Sequence, residues 1–283
     1  MLTFMLAAML GSLVGIVLGL TGAGGSIFAV PLLVFGLGWS LSQATPVALL
    51  AVCAAAAFGT ASSWRSGLIA RRAALLAGLL GSLTAPLGIA LAARLPQRIL
   101  MFAFAGVMLL VALRLLRQAS TTPADAAIVR GDPAPPAARG AAVCRVDSTT
   151  LRLRWTRACA VVLGASGAAT GVLSGALGVG AGFVIVPTLR AVTELSMQAC
   201  VATSLMTITI VSASAAAAWV LAEGSGALPL AVAGPFVAGA LLGMFASRLA
   251  APRLSGPLLQ RVFAALMIVA AALLLWRELR GGA

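Results

Sequence analysis

Two short stretches of the chain place several glycines beside hydroxyl residues in strongly apolar surroundings. Residues 19–31 read GLTGAGGSIFAVP and residues 175–187 read GALGVGAGFVIVP. Because glycine and proline disfavour the helix interior, each stretch predicts a helix break followed by a new helix start. A helix N-terminus presents free backbone N–H groups and a partial positive charge, which bind anions. The chemistry these residues offer is therefore recognition of an anion by backbone donors and hydroxyls.

The candidate substrate-binding residues come from each glycine cluster and from the polar helix start that follows it. In the first half they are Gly22, Gly24, Gly25, Ser26, Gln43 and Thr45. In the second half they are Gly178, Gly180, Gly182, Gln198, Thr203 and Ser204. Pro31 and Pro187 are predicted hinges or helix breaks, since proline removes a helical hydrogen bond. A dinucleotide fingerprint is rejected, because no strand precedes either cluster and no acidic residue follows at the required distance.

Other glycines in the chain recur four residues apart. The GxxxG pairs are Gly15 with Gly19, Gly171 with Gly175, and Gly239 with Gly243. This spacing is typical of closely packed membrane helices, so we assign these pairs to helix packing rather than to a site.

The residues needed for most catalytic and metal chemistry are missing from the sequence. Histidine is absent and all 19 basic residues are arginine, so no His-based or Ser–Lys nucleophile exists. The four cysteines, Cys53, Cys144, Cys159 and Cys200, form no CxxC pair. We therefore predict no enzymatic activity, no cofactor, no metal site and no disulfide framework.

The composition indicates an integral membrane protein. Hydrophobic residues make up 61% of the chain and charged residues 9%, with a mean hydropathy of +1.11. Soluble domains are about half apolar and a quarter charged. The net charge of +13 comes from arginines near the ends of apolar runs, which is typical of topology signals and lipid anchoring. Nucleic-acid binding is therefore not expected.

The chain is an internal duplication. At an offset of 156, Gly15, Gly19, Gly22, Gly24 and Pro31 align with Gly171, Gly175, Gly178, Gly180 and Pro187. We predict an all-α membrane fold of about eight transmembrane helices in two homologous halves, each with a broken short segment near its start. The predicted domains are a first membrane repeat, a polar flexible linker and a second repeat, at 1–117, 118–157 and 158–283.

The arginine distribution tests two courses for the chain. If the short segments are re-entrant, each half spans four times and 13 of the 19 arginines lie on the linker side. If they cross, the halves are inverted and 15 of the 19 lie on that side. By the positive-inside rule, both counts predict that the linker lies on the cytoplasmic side of a cell inner membrane. We expect the re-entrant course, because the two segments are too short to span comfortably.

The motif residues resemble those of a known family. SGALGVGAGFVIVPTL at 174–189, followed by VATSL at 201–205, is similar to the signature of the TauE/SafE family of sulfite and organosulfonate exporters. The resemblance implies a secondary transporter of a small sulfur-containing anion, with the lipid bilayer as its other partner; a homo-oligomer is left open. In the first half, TPVALLAV at 45–52 stands where VATSL stands in the second, so the halves contribute unequally. Alternatives are a transporter of another small organic anion, or a structural membrane protein.

Overall fold

The structure, a computed structural model, describes residues 2–22, 25–121, 144, 155–180, 182–193, 195–223, 230–250 and 256–280. These residues form ten helices in two sets of five. In the first set, α1 is Leu2–Thr21, α2 Gly25–Gly36, α3 Leu41–Trp64, α4 Arg71–Arg94 and α5 Gln97–Thr121. In the second set, α6 is Arg157–Leu177, α7 Gly182–Val192, α8 Met197–Glu223, α9 Leu230–Ala250 and α10 Gly256–Arg280.

The long helices confirm the predicted all-α membrane fold. Within the described residues, seven helices are long and apolar enough to cross a membrane: α1, α3, α4, α5, α6, α8 and α9. The described apolar part of α10, Ala264–Trp276, is shorter, and α10 as a whole has 25 residues. Together they are consistent with about eight transmembrane helices, each half containing one short helix, α2 or α7.

The short helices reverse the direction of the chain. α2 runs back along α1, because Gly25 lies against Leu18 and Gly36 lies against Leu10. α3 then ends beside the end of α1, since Met244 of α9 packs against both Gly19 and Gly59. With α1 and α3 pointing the same way, α2 carries the chain back through the bundle. The geometry fits the course in which the short helices also traverse the bundle, as two shorter passes in addition to about eight long helices, and does not fit the re-entrant course.

The two halves are related by inversion. α3 and α8 pack side by side in opposite directions. Thr203 near the start of α8 bonds to Ala70 beyond the end of α3, and Thr209, nearly two turns further on, lies beside Cys53. Because α3 and α8 are corresponding helices, antiparallel packing between them places the halves in opposite orientations. This is the arrangement of inverted-repeat membrane proteins.

Glycine-lined contacts join each half to the other. α1 packs along α9, with Gly11 against Phe236, Gly15 against Ala240 and Gly243 against Ser12. A side chain at Gly15 would overlap the backbone of Ala240. The equivalent pair is α4 and α6, where Gly167, Gly171 and Gly175 lie against Ala77, Gly81 and Ala85. The packing assignment of the GxxxG pairs is therefore confirmed.

A disulfide bond joins Cys144 to Cys159 at the start of α6, with the two Cα atoms 5.2 Å apart. The backbone N–H of Cys144 also donates to the carbonyl of Val192 at 2.8 Å. Cys144 and Thr193 thereby form an isolated parallel β-bridge. The sequence-based expectation of no disulfide was wrong for this pair, because the fold brings Cys144 to the ends of α6 and α7. The linker around Cys144, and with it the prediction that it is flexible, lies outside the described residues.

Candidate functional site

The first half and the second half break their helices in the same way. Gly22 and Gly178 both have φ of +67°, the left-handed conformation that favours glycine. Each ends the preceding helix by donating its N–H to the carbonyl four residues back, to Leu18 at 2.7 Å and to Ser174 at 2.9 Å. The short helices α2 and α7 begin a few residues later, at Gly25 and Gly182, both buried. Gly24 lies outside the described residues.

The two breaks meet in the interior of the bundle. Ser26, the second residue of α2 and fully buried, donates its hydroxyl to the carbonyl of Gly180 at 2.9 Å. Ser204 of α8, also fully buried, shares its hydroxyl proton between the carbonyl of Gly22 at 2.9 Å and that of Val201 in its own helix at 2.8 Å. We call this meeting of Gly22, Ser26, Gly178, Gly180 and Ser204 the crossing. Its hydrogen bonds link residues 154 and 182 positions apart.

Side chains fill the space that the glycines leave at the crossing. A Cβ at Gly180 would lie 2.6 Å from Cβ of Ser26 and 2.7 Å from Cγ1 of Val52, which is too close for an unstrained contact. A Cβ at Gly178 would lie 2.7 Å from Cγ2 of Thr45. The crossing is therefore closed in this structure, and its glycines are required for the two halves to approach.

The electrostatics of the crossing favour an anion. A helix N-terminus carries about half a positive charge, so the starts of α2 and α7 both favour a negative charge nearby. Both helices begin next to the crossing, so two such ends act on one region. The hydroxyl of Ser174, in the last turn of α6 before Gly178, is fully buried and has no hydrogen-bond partner among the described residues. The same holds for Ser212 of α8.

Several predicted site residues have other contacts. Gln43 is exposed and forms a capping box with Ser40 at the start of α3. Thr203 accepts a hydrogen bond from the backbone N–H of Ala70 at 3.0 Å, which joins α8 to the turn after α3. Gln198 is exposed in the first turn of α8. The structure therefore does not bring these three side chains to the crossing.

Thr45 has a mixed position. Its hydroxyl donates to the carbonyl of Leu41 within α3 at 2.8 Å, while its side chain packs against Gly178. It therefore contacts the crossing through packing, with its hydroxyl used by its own helix.

The two prolines lie inside the short helices, Pro31 in α2 and Pro187 in α7. Since proline lacks an N–H, the carbonyls of Ile27 and Phe183 receive no helical bond from these positions. Their role as hinges stays a prediction.

Sequence reasoning missed one further polar contact between helices. Arg248, near the end of α9, donates through Nη2 to the carbonyl of Gly59 at 2.8 Å and to the hydroxyl of Ser63 at 2.7 Å. The available signal was a lone arginine in the last turn of an apolar run. Among the described residues, no group of three His, Cys, Asp or Glu side chains could hold a metal ion.

The fold and the crossing define a class of protein. Paired short helices that start at glycine breaks, one in each of two inverted halves, are typical of membrane transporters with a binding site between their repeats.

Comparison with known proteins identifies the family. The chain belongs to the family described as "Sulfite exporter TauE/SafE", whose model matches residues 7–274. It is 30% identical over 273 residues to a "Probable membrane transporter protein" of Xylella fastidiosa strain 9a5c, covering 95% of this chain and 93% of the relative. A protein of the same description from strain Temecula1 / ATCC 700964 matches equally. No solved structure matches significantly. The chain is therefore a multi-pass membrane transporter.

Proposed function

We propose that the protein is a secondary transporter that exports a small sulfur-containing anion, sulfite or an organosulfonate, across the inner membrane by alternating access. The meeting of the α2 and α7 N-termini at the crossing carries this proposal. Two helix ends of positive partial charge at one buried place favour an anion over a cation. The family description supplies sulfite as the first substrate to test.

The residues of the crossing have defined roles in this proposal. In the closed state Ser26 uses its hydroxyl on the carbonyl of Gly180, and Ser204 uses its hydroxyl on the carbonyl of Gly22. When an anion binds, these hydroxyls turn to its oxygens, joined by the unpartnered hydroxyl of Ser174. Hydrogen bonds to a charged acceptor are stronger than those to a carbonyl, so the exchange is favourable. Loss of the bonds between halves then frees one side of the crossing to open.

The orientation follows from the arginines. When α2 and α7 each traverse the membrane, the linker side holds all arginines except Arg94, Arg98, Arg277 and Arg280. The positive-inside rule therefore places the linker, residues 118–157, in the cytoplasm. The small anionic substrate approaches from that side and leaves on the other.

The test is flux of labelled sulfite in proteoliposomes that contain the wild-type protein or Gly180→Leu. A leucine at position 180 has no room beside Ser26 and Val52, so we expect flux to fall to background. Gly106→Leu is the matched control, because Gly106 is exposed on α5 with nothing near its Cβ position. Flux that persists in Gly180→Leu would refute the site. No flux of sulfite or of a panel of sulfonates in folded wild-type protein would refute the substrate class.

A further inference from the structure

A second cavity lies at the linker-side end of the bundle, apart from the crossing. Its volume is about 540 Å³, the size of small-molecule sites in proteins. The turn from α3 to α4 forms most of its wall, and residues before α6 and before α8 complete it. The lining residues that carry the argument are Trp64, Ile69, Arg71, Arg72, Trp155 and Leu195.

The cavity combines positive charge with flat apolar surface. The guanidinium carbon of Arg71 lies 4.3 Å from the ring centroid of Trp64, so the indole holds this arginine in place. Neither Arg71 nor Arg72 forms an ion pair within the described part of the chain, and none of the described lining residues is acidic. Trp155 adds a second indole to the lining.

The start of α4 adds backbone donors to the same cavity. Its N-cap residue is Ala70, which has no side chain able to accept a hydrogen bond from the first turn. No side chain caps that turn, whose residues Arg71, Arg72 and Ala73 all line the cavity. The N–H of Arg71 donates to the carbonyl of Ile69 at 2.9 Å, so the free donors are those of the next two residues. An acidic oxygen fits the arginines and this helix start, while a planar apolar group fits the indoles.

The cavity is connected to the crossing through a single hydrogen bond. Ala70, which lines the cavity, donates its N–H to the hydroxyl of Thr203, and the next residue, Ser204, holds Gly22. A ligand that shifts the start of α4 therefore acts directly on the turn of α8 that closes the crossing.

We propose that this cavity is a loading site for organic anions that carry a planar apolar group, on the cytoplasmic side of the transporter. Its role in loading rests on the transport function proposed above, whereas its ligand chemistry does not. The arginines bind the acidic group, the indoles bind the planar group, and Thr203 couples occupancy to Ser204.

The test measures binding without transport. Calorimetry on the full-length wild-type protein in detergent, where no flux is possible, compares benzenesulfonate with methanesulfonate. We expect benzenesulfonate to bind at least about tenfold tighter, because only it buries a ring against the indoles. Arg71→Gln combined with Arg72→Gln should weaken benzenesulfonate binding by at least about tenfold, since charge-assisted hydrogen bonds are lost. All these side chains are exposed or half-buried, so the variants should fold.

The control is Arg94→Gln combined with Arg98→Gln, which removes two exposed arginines at the end of α4 and the start of α5 and should leave the affinity unchanged. Equal affinity for the two sulfonates, or an unchanged affinity in the Arg71/Arg72 variant, would overturn the proposal. The same titration in nanodiscs with and without phosphatidylglycerol separates free anions from lipid headgroups. Loss of benzenesulfonate binding only with the anionic lipid would assign the cavity to a headgroup instead. Absence of sulfite flux, with the binding differences intact, would count against the transport substrate alone.

Discussion

Replacing Ser174 with alanine should raise the stability of the empty protein and weaken its binding of the anion. The Ser174 hydroxyl is fully buried without a partner among the described residues, and such a group costs about 1–3 kcal/mol. Its removal should therefore raise the free energy of unfolding by about 1 kcal/mol. A bond from this hydroxyl to a bound anion would contribute about 1.5–3 kcal/mol, so its loss should raise Kd roughly tenfold or more.

Thermal unfolding of the purified protein, with and without sulfite, measures both effects. At a sulfite concentration of about 100 times the wild-type Kd, the ligand stabilises the wild type by about 2.7 kcal/mol. A tenfold rise in Kd reduces this to about 1.4 kcal/mol. Ser166→Ala is the control on the same helix, because its hydroxyl already bonds to Leu163 at 2.8 Å and lies more than three turns from the break. It should lower stability slightly and leave the sulfite effect intact. If Ser174→Ala behaved in the same way, the hydroxyl would have no role in binding.

Two further predictions concern the break and the linker. Gly178→Ala places a side chain against Thr45 at a residue with φ of +67°, so it should destabilise the protein by about 1–2 kcal/mol or more. Gly106→Ala, which meets no neighbouring atom, should not. Equal melting temperatures of the two variants would contradict this prediction. The Cys144–Cys159 disulfide closes 15 residues and should add about 3 kcal/mol of stability to air-oxidised protein, measured by unfolding with and without reductant. When intact cells are quenched with acid and the denatured protein is alkylated, both thiols should be labelled, because the cytoplasm is reducing. Denaturation is needed because both side chains are buried in the folded protein, and an intact disulfide there would reverse the orientation proposed for the linker.

The positions of the helix breaks could be predicted from the sequence, because they depend on residue type alone. The glycine clusters and their 156-residue offset predicted two short segments, and the structure has α2 and α7 there. The contacts at the crossing could not be predicted in the same way. Ser26 bonds to Gly180 and Ser204 bonds to Gly22, and neither pair consists of positions that correspond in the two halves. Such contacts depend on how the halves dock.

Polar residues at helix starts were the least reliable signal. Gln43 follows Ser40 by three residues, which is the spacing of a capping box, and the structure uses it as one. This signal was present in the sequence and was read as binding. The disulfide had no comparable signal, because the approach of Cys144 to Cys159 depends on where α7 ends at Val192.

The packing sorts eight of the described helices into two groups, which are the candidate rigid bodies of the alternating-access cycle proposed above. α1 and α9, and likewise α4 and α6, meet through glycines that put backbone against backbone, and such contacts resist sliding. α2 and α3 pack with the first pair, whereas α7 and α8 pack with the second. The α3–α8 contact and the bonds of the crossing, from Ser26 to Gly180 and from Ser204 to Gly22, join one group to the other. In the proposed cycle the halves of the duplication are therefore not the mechanical units: each unit combines helices from both halves, and the α3–α8 contact and the hydroxyl bonds of the crossing are what must change.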